Sequence, residues 1–171
     1  MRGKKMKKLL ESLPIAQYGK GQAKTVEHLL KEIESGEAQI VWEGGKPVRV
    51  VNLVCVEVVS EDGEQQLVEE KQVFSDGRVR ERGIWGVSEK LKPNEDPYEG
   101  AIRAMKEELG VENCSIQFDS TEREENESPS YPGLTTRYLK TNYTAKVWHE
   151  DYRPEGYVEK QKDKTTYFVW R

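Results

Sequence analysis

Two adjacent glutamates, Glu107 and Glu108, are the residues of this sequence whose type and spacing best suit chemistry. With Ala104 they fall at positions i, i+3 and i+4, so a helix places all three on one face. Carboxylates beside a loop can bind Mg²⁺ or Mn²⁺, hard cations that take oxygen ligands and bring substrate phosphates with them. The alternative is a solvated helix face, where Arg103 is a surface ion-pair partner contributing less than about 1 kcal/mol. The spacing alone leaves both interpretations open.

The segment that must position these glutamates is predicted to be a helix from Pro97 to Leu109. Proline suits the first helical turn, Asn94 or Asp96 can cap it, and Gly110 ends it. At about 100° per residue its apolar side chains share one face. They are Tyr98, Ala101, Ile102, Met105 and Leu109. We therefore expect that face to be buried.

The stretch from Trp85 to Val111 resembles the signature of the Nudix family, G-x5-E-x7-R-E-U-x-E-E-x-G-U, in which U is aliphatic. Glu95 is followed after seven residues by Arg103, and most of the later positions match in order. The chain reads Ala104, Met105, Lys106, Glu107, Glu108, Leu109, Gly110 and Val111 there. The resemblance implies that Glu107 and Glu108 are metal ligands and catalytic residues, with Glu95 and Arg103 orienting them as part of the same catalytic set.

Two positions depart from that signature. Glu89 stands where the first glycine is expected, and Ala104 replaces the glutamate that follows the arginine. The Trp85–Val87 run resembles the family's strand end, so Ser88–Lys90 is expected in a loop. Because alanine supplies no oxygen, the resemblance implies a site that lacks one metal ligand and needs a base from elsewhere. The candidates are Glu89 and the acidic loop residues Glu122, Glu124, Glu125 and Glu127.

Three arginines alternate in the run RVRER, at positions 78, 80 and 82. On a strand they share one face and can meet phosphates, so Arg80 and Arg82 are candidate substrate-binding residues. A charged face that protects a sheet edge is the competing interpretation. Tyr131, in the run SYPGL, is a third candidate, either as an aromatic platform beside the substrate or as part of an ordered turn.

The remaining chain is predicted to be α+β or α/β, with a mixed β-sheet around the central helix. Residues 1–38 are expected to form an N-terminal helical extension, with helices at 1–13 and from Thr25 to Gly36. Residues 39–171 are expected to form one domain, and the resemblance implies a Nudix-like α/β/α sandwich there. Its predicted strands are 39–42, a long central strand at 49–59, a hairpin partner at 66–74, and further strands at 114–118, 135–149 and 165–171. Residues 120–128 and 151–164 are expected to be loops.

Composition limits the classes of function. The 171 residues are 34% charged and 35% hydrophobic, with a net charge of −4, which argues against general electrostatic binding of nucleic acid. No apolar run approaches 18 residues, so no membrane association is expected. The two cysteines do not make a disulfide framework, which favours a cytoplasmic location.

Two functions follow as hypotheses. The first is a divergent Nudix-type hydrolase, dependent on Mg²⁺ or Mn²⁺, that cleaves nucleoside-diphosphate-linked substrates with weak or altered activity. The second is a catalytically inactive module of the same fold that binds a nucleotide or a protein partner, with a homodimer as one form of partner. The retained Glu95, Arg103, Glu107 and Glu108 favour the first, and Ala104 favours the second.

Overall fold

The computed structural model describes residues 3–171 and contains three α-helices. They are α1 (Gly3–Glu11), α2 (Val26–Ser35) and α3 (Pro97–Ala104), with a 3₁₀ turn at Ile15–Gln17 and a π-helical turn at Met105–Leu109. No helix among the described residues is both long and apolar enough to cross a membrane. The predicted helix at 1–13 is present as α1, and its first two residues lie outside the described range.

Nine strands form two sheets. They are β1 (Gln39–Glu43), β2 (Lys46–Ser60), β3 (Leu67–Phe74), β4 (Val79–Arg80), β5 (Val87–Lys90), β6 (Cys114–Glu127), β7 (Thr135–Val147), β8 (Tyr157–Lys160) and β9 (Lys164–Trp170). The first sheet has the order β1-β2-β7-β6, with β5 also paired to β2, and the second has the order β4-β3-β9-β8. The predicted α+β class is confirmed.

The chain divides into two compact units. Unit 1 takes the described residues up to Leu53 together with Lys90–Asn94 and Glu122–Lys140. Unit 2 comprises Val54–Glu89, Glu95–Thr121 and Thr141–Arg171. The expected division of the chain at residue 38 is not tested by this grouping and stays a prediction.

Unit 1 is built on an apolar cluster beneath the N-terminal helices. Its buried members are Leu9, Leu13, Tyr18, Leu29, Tyr131 and Leu134. Helix α2 begins and ends as its sequence predicts, because Thr25 accepts a hydrogen bond from the His28 amide and Gly36 adopts a left-handed conformation at the other end. Near this cluster the buried Glu32 carboxylate accepts hydrogen bonds from Arg49 at 3.0 and 3.2 Å.

In unit 2 the second sheet is antiparallel along its whole width. A bulge at Glu70 interrupts the pairing of β3 with β9, so that Glu69 lies opposite Phe168 and Gln72 lies opposite Thr166. Without the extra residue, positions 69 and 72 would point to opposite faces of the sheet. The bulge therefore brings Glu69 and Gln72 to the same, buried face.

Three predictions about strands are wrong. The turn at Glu61–Glu64 does not form a simple hairpin, because β3 leaves β2 after one bridge, Val59 to Gln66, and joins the second sheet. The acidic segment 120–128 is not a loop: β6 runs through Glu127, and several of its carboxylates are paired with basic side chains of β7. The polar segment 151–164 contains β8, whose alternation of exposed and buried residues is too short to stand out in the sequence.

The boundary between strand and loop before α3 also differs from expectation. Trp85 makes an isolated bridge with Val68, and Val87–Lys90 forms β5 instead of a loop. Gly86 between them has a φ of 75°, and a Cβ there would overlap the carbonyl oxygen of Val56. Glycine is therefore required at the start of β5, where the chain packs against β2.

Candidate active site: a carboxylate cluster in unit 2

Helix α3 starts as predicted. Asp96 caps it by accepting a hydrogen bond from the Tyr98 amide, and Pro97 occupies the first turn. Gly110, at a φ of 69°, ends the following π-helical turn. Turns of this kind are short, wider than an α-helix, and frequent at functional sites.

Burial along α3 and the π-helical turn follows the predicted apolar face only in part. Ala104 is 0% exposed and packs inward, whereas Glu107 is exposed and Glu108 is half-buried. Tyr98 and Ile102, expected on the buried face, are exposed instead. Ala104 is therefore part of the core, and the expected common face of Ala104, Glu107 and Glu108 stays a prediction.

Arg103 joins three of the carboxylates. Its guanidinium donates to both oxygens of Glu95, at 2.9 and 3.0 Å, and to Glu107 at 3.1 Å. Glu89 lies 3.6 Å from the same guanidinium. These contacts hold Arg103 in one orientation, and the hydrogen bonds that it donates to Glu95 raise its pKa. The predicted partnership of Glu95, Arg103 and Glu107 is present.

Glu108 is the most perturbed carboxyl of this cluster. Burial, followed by the charges of Glu89, Glu159 and Glu69, raises its pKa to about 9. Its Oε2 atom is buried and has no hydrogen-bond partner among the residues that the structure describes. A carboxyl in this setting gains strongly from a cation, because nothing within the described chain neutralises it fully.

Glu89 brings a further carboxylate to the cluster. It lies on β5, is half-buried, and has a pKa raised mainly by burial, an effect that Arg103 partly offsets. The residue that departs from the expected glycine therefore places an oxygen donor beside Glu107 and Glu108. From the sequence, Glu89 was only one of several candidates for the missing base. Its contact with Arg103 could not be predicted, because it depends on β5 continuing past Val87.

Sequence reasoning missed two members of the cluster, Glu69 and Glu159. Glu69 is 4% exposed and pairs with Arg82 through two hydrogen bonds of 2.9 and 2.6 Å. Burial and the charge of Glu89 raise the pKa of Glu159. No sequence pattern marks either residue, because β3 and β8 contain several polar residues and the bulge at Glu70 breaks the alternation of β3.

The three predicted substrate-binding residues lie in different places. Arg82 is in the cluster, bound to Glu69 and within the electrostatic influence of Glu108. Arg80 is in the second sheet, bound to Gln72 at 2.9 and 2.5 Å. Tyr131 is in unit 1, 0% exposed, with its ring 4.8 Å from the guanidinium of Arg49. Tyr131 is thus part of the core of unit 1 and presents no surface to solvent.

The acidic segment of β6, offered as a source of a base, lies in unit 1. Glu124 is ion-paired with Lys140 at 2.6 Å, Glu125 with Arg137, and Glu127 accepts a hydrogen bond from the Gly133 amide. Strong pairing lowers the pKa of Glu124 and Glu125, which makes both poorer proton acceptors.

The donor set of the cluster fits a hard divalent cation, because it consists of carboxylate oxygens with an excess of negative charge and one buried oxygen without a partner. The side chains are not gathered around a common point: within residues 3–171, no three acidic, histidine or cysteine side chains are arranged to hold a metal ion. Glu107 is instead ion-paired with Arg103, and Glu69 is ion-paired with Arg82. The chemistry therefore fits, and a bound cation would compete with these arginines.

Comparisons with known proteins find likeness to solved structures alone. No family model matches the chain, and no curated protein matches it. The solved structures that it resembles include the E. coli dihydroneopterin triphosphate pyrophosphohydrolase, at 16% identity and a TM-score of 0.49, covering 70% of this chain and 77% of that one. A Nudix-family hydrolase from Clostridium perfringens is similar at 16% identity and a TM-score of 0.44, covering 70% and 79%. At these values the likeness says nothing about substrate or activity.

Proposed function

We propose that this protein is a Nudix-type hydrolase that cleaves the diphosphate of nucleoside-diphosphate-linked substrates, with help from Mg²⁺ or Mn²⁺. The observation that carries the proposal is the cluster around Glu108, where six carboxylates meet two arginines and one buried oxygen lacks a partner. An excess of buried negative charge costs stability, so its presence in unit 2 is better explained by a ligand than by folding.

In this proposal Glu107 and Glu108 hold the cation, and Glu89 supplies the oxygen that Ala104 does not. The cation, when bound, neutralises charge on the diphosphate and lowers the pKa of a bound water. Glu95 fixes Arg103 through two hydrogen bonds, so that Arg103 in turn holds the Glu107 carboxylate in place. Arg82, half-exposed beside the cluster, is positioned to meet a phosphate.

The reaction is the addition of water across a P–O–P linkage. The water oxygen bonds to one phosphorus, the bridging oxygen leaves with the other phosphoryl group, and one proton is released. Carboxylates of the cluster that do not hold the cation can accept that proton. The chain's own contribution is to bring together oxygen donors from β3, β5, β8 and the π-helical turn.

The experiment is a screen for hydrolysis of nucleoside-diphosphate derivatives with Mg²⁺ and with Mn²⁺. We expect metal-dependent turnover by the wild type and a loss of at least about 100-fold in Glu107→Gln/Glu108→Gln, since removal of metal ligands removes the main charge stabilisation. Glu99→Gln is the matched control, because Glu99 is exposed on the first turn of the same helix. Turnover that survives the double substitution would contradict the assignment.

A second function is favoured by one specific observation. Arg103 and Arg82 already neutralise Glu107 and Glu69, and the described carboxylates do not surround a common point. A non-catalytic module that binds a nucleotide or a protein partner would have no need of a formed metal site. Binding of a nucleotide without turnover, together with no divalent-cation binding in calorimetry, would select this function.

A further inference from the structure

The second sheet has a side that faces away from Glu69 and is open to solvent. Neighbouring residues along a strand project to opposite sides, and directly opposite residues in antiparallel strands project to the same side. Glu69 and Gln72 lie on the buried face, so the strand pairings define a second face, here called the outer face. It consists of three rows: Trp85, Val68 and Val169; Lys71, Tyr167 and Val158; and Val79, Val73, Thr165 and Lys160.

The outer face is apolar and exposed. Five valines, a tryptophan and a tyrosine make up most of it, in a chain that is 35% hydrophobic. Val79 is 57% exposed, and Trp85 and Val158 are each 52% exposed. Contiguous exposed apolar side chains of this kind mark interaction surfaces, because leaving them in water costs free energy. A partner that covers the outer face therefore gains stabilisation from the burial of these side chains.

The outer face carries few charges. Lys71 and Lys160 are its basic residues, and the ammonium of Lys71 lies 5.3 Å from the centre of the Tyr167 ring. Glu70, the extra residue of the bulge, is exposed beside Lys71. A nucleic acid is bound mainly through contacts of many basic side chains to its phosphates, and two lysines do not provide them. The apolar residues therefore have to carry the interaction, which fits another protein surface.

A second copy of this chain fits the outer face without bringing like charges together. When two copies stack face to face with a two-fold axis parallel to the strands, β3 of one copy lies over β9 of the other, and β4 lies over β8. Lys71 then faces Tyr167 of the other copy in a cation–π arrangement, and Lys160 faces Val79. An axis across the strands would instead place the two Lys71 side chains against each other. The pattern of charges therefore selects the first arrangement.

We propose that the outer face joins two copies of this chain in a two-fold symmetric homodimer. About ten residues per copy take part, fewer than the roughly 20–30 of a standard interface, so the dimer forms at micromolar rather than nanomolar concentrations. Glu69 and Glu159 project from the opposite side of the same sheet, so the second copy does not cover them. The inference is independent of the proposed function, since it uses no residue of the carboxylate cluster.

Sedimentation equilibrium of the full chain between roughly 5 and 500 µM tests the homodimer. We expect the wild type to change from monomer to dimer within this range. Trp85→Ser and Val158→Lys should each raise the dissociation constant at least about tenfold, because an exposed apolar side chain is lost from the contact. Phe118→Ser is the matched control, since Phe118 is 56% exposed on β6 and the change removes an exposed aromatic side chain outside the outer face. It should alter the dissociation constant less than about twofold.

Substitutions at Val79 test the direction of the axis. In the proposed arrangement Val79 of one copy faces Lys160 of the other, whereas within one copy the two residues lie on opposite edge strands, β4 and β8. We expect Val79→Lys to weaken dimerisation at least about tenfold more than Val79→Glu, because only the lysine meets a like charge. Net charge works in the opposite direction, since the glutamate makes a chain of net charge −4 more negative. Equal effects of the two substitutions would contradict the arrangement.

Three outcomes would overturn the homodimer itself. They are a wild type that stays monomeric up to about 500 µM, a dimer that neither Trp85→Ser nor Val158→Lys weakens, and a loss in Phe118→Ser as large as in those two variants. Circular dichroism checks that each variant is folded. Should Trp85→Ser fail to fold, Val158→Lys decides, because Val158 is exposed on the edge strand β8 and its replacement leaves the buried face of the sheet unchanged.

Discussion

At the scale of single residues, the site depends on how charge is distributed among a few buried carboxyls. Glu108 carries the largest rise in pKa of the cluster, and Glu89 and Glu159 are shifted in the same direction for the same reason, burial near like charges. Glu95 differs from them in its partner, because both of its oxygens accept hydrogen bonds from Arg103. The protein therefore stores unfavourable electrostatic free energy at Glu108, where a cation would relieve it.

The raised pKa of Glu108 predicts how stability depends on pH in the metal-free protein. An unfolded glutamate titrates near 4.3, whereas folding raises the pKa of Glu108 to about 9. Between these values the folded state binds the extra proton, so the free energy of unfolding falls as pH rises, by at most about 1.4 kcal/mol per pH unit. Urea unfolding in EDTA at pH 5.5, 7 and 8.5 measures this slope.

Glu108→Gln removes the titrating group and is expected to flatten that slope. The stability gained by the variant relative to the wild type should therefore grow from pH 5.5 to pH 8.5. Some decline will remain, because Glu89 and Glu159 also have raised pKa values. Parallel pH profiles for the two proteins would show that Glu108 titrates normally.

Ala104 yields a prediction opposite to the one its place in the signature implies. Because Ala104 is fully buried, Ala104→Glu does not restore a ligand but buries a carboxylate, at a cost of about 3 kcal/mol or more in unfolding free energy. Ile102→Glu, on the exposed side of the same helix, is the control and should cost less than about 1 kcal/mol. Chemical denaturation compares them; an equally stable Ala104→Glu variant with tighter Mn²⁺ binding would contradict the structure.

At the scale of secondary-structure elements, the features that can be predicted are those determined by residues adjacent in the sequence. Helix α2 has its capping threonine and its terminal glycine, and α3 has its aspartate cap and proline, so both are read directly from the sequence. The π-helical turn at Met105–Leu109 and the bulge at Glu70 cannot be read from the sequence in this way. Each interrupts the regular spacing of side chains along its element, and such interruptions depend on tertiary packing. The bulge brings Glu69 to the buried face of the second sheet, which is one reason why the sequence identified only part of the cluster.

In unit 1 a buried ion pair joins helix α2 to strand β2, and its contribution to stability can be tested. Glu32 and Arg49 are 4% and 3% exposed, and Lys90 also donates to Glu32 at 2.7 Å. We expect Glu32→Ala to lower the unfolding free energy by about 3–5 kcal/mol, because it leaves Arg49 buried without its partner.

The matched variant is Glu32→Leu/Arg49→Met, which replaces both charges with apolar side chains of similar size. We expect it to cost less than Glu32→Ala, since the buried Arg49 charge is removed and the two lysines that also lose Glu32, Lys24 and Lys90, reach solvent. Thermal and chemical unfolding of the two variants provide the comparison. Effects of Glu32→Leu and Arg49→Met that simply add in the double variant would show that the two side chains are not coupled, which would contradict this expectation.

At the scale of the whole molecule, the two units contain charged networks of opposite character. In unit 1 one carboxylate, Glu32, is contacted by three cations, Lys24, Arg49 and Lys90. In unit 2 six carboxylates share two arginines. The net charge of −4 does not show where in the molecule the acidic residues outnumber the basic ones. In the structure they do so in the carboxylate cluster, where the proposed chemistry needs a cation.

The members of the cluster also explain the limit of sequence reasoning at this scale. Glu107 and Glu108 are adjacent in the chain, so their proximity is evident without a structure. Glu69 and Glu159 are separated by 90 positions and meet only because β3 and β8 both pair with β9. Pairing between distant strands is determined by tertiary packing, which a single sequence does not display.

The central claim is that Glu89 replaces the oxygen donor that Ala104 lacks, and Mn²⁺ binding tests it most directly. Calorimetric titration of Mn²⁺ into the wild type, Glu89→Gln and Glu99→Gln compares a cluster carboxylate with an exposed one on α3. We predict that Glu89→Gln weakens Mn²⁺ binding at least about tenfold and that Glu99→Gln leaves it unchanged within about twofold. Equal affinities in all three proteins, or no Mn²⁺ binding by the wild type, would contradict the account.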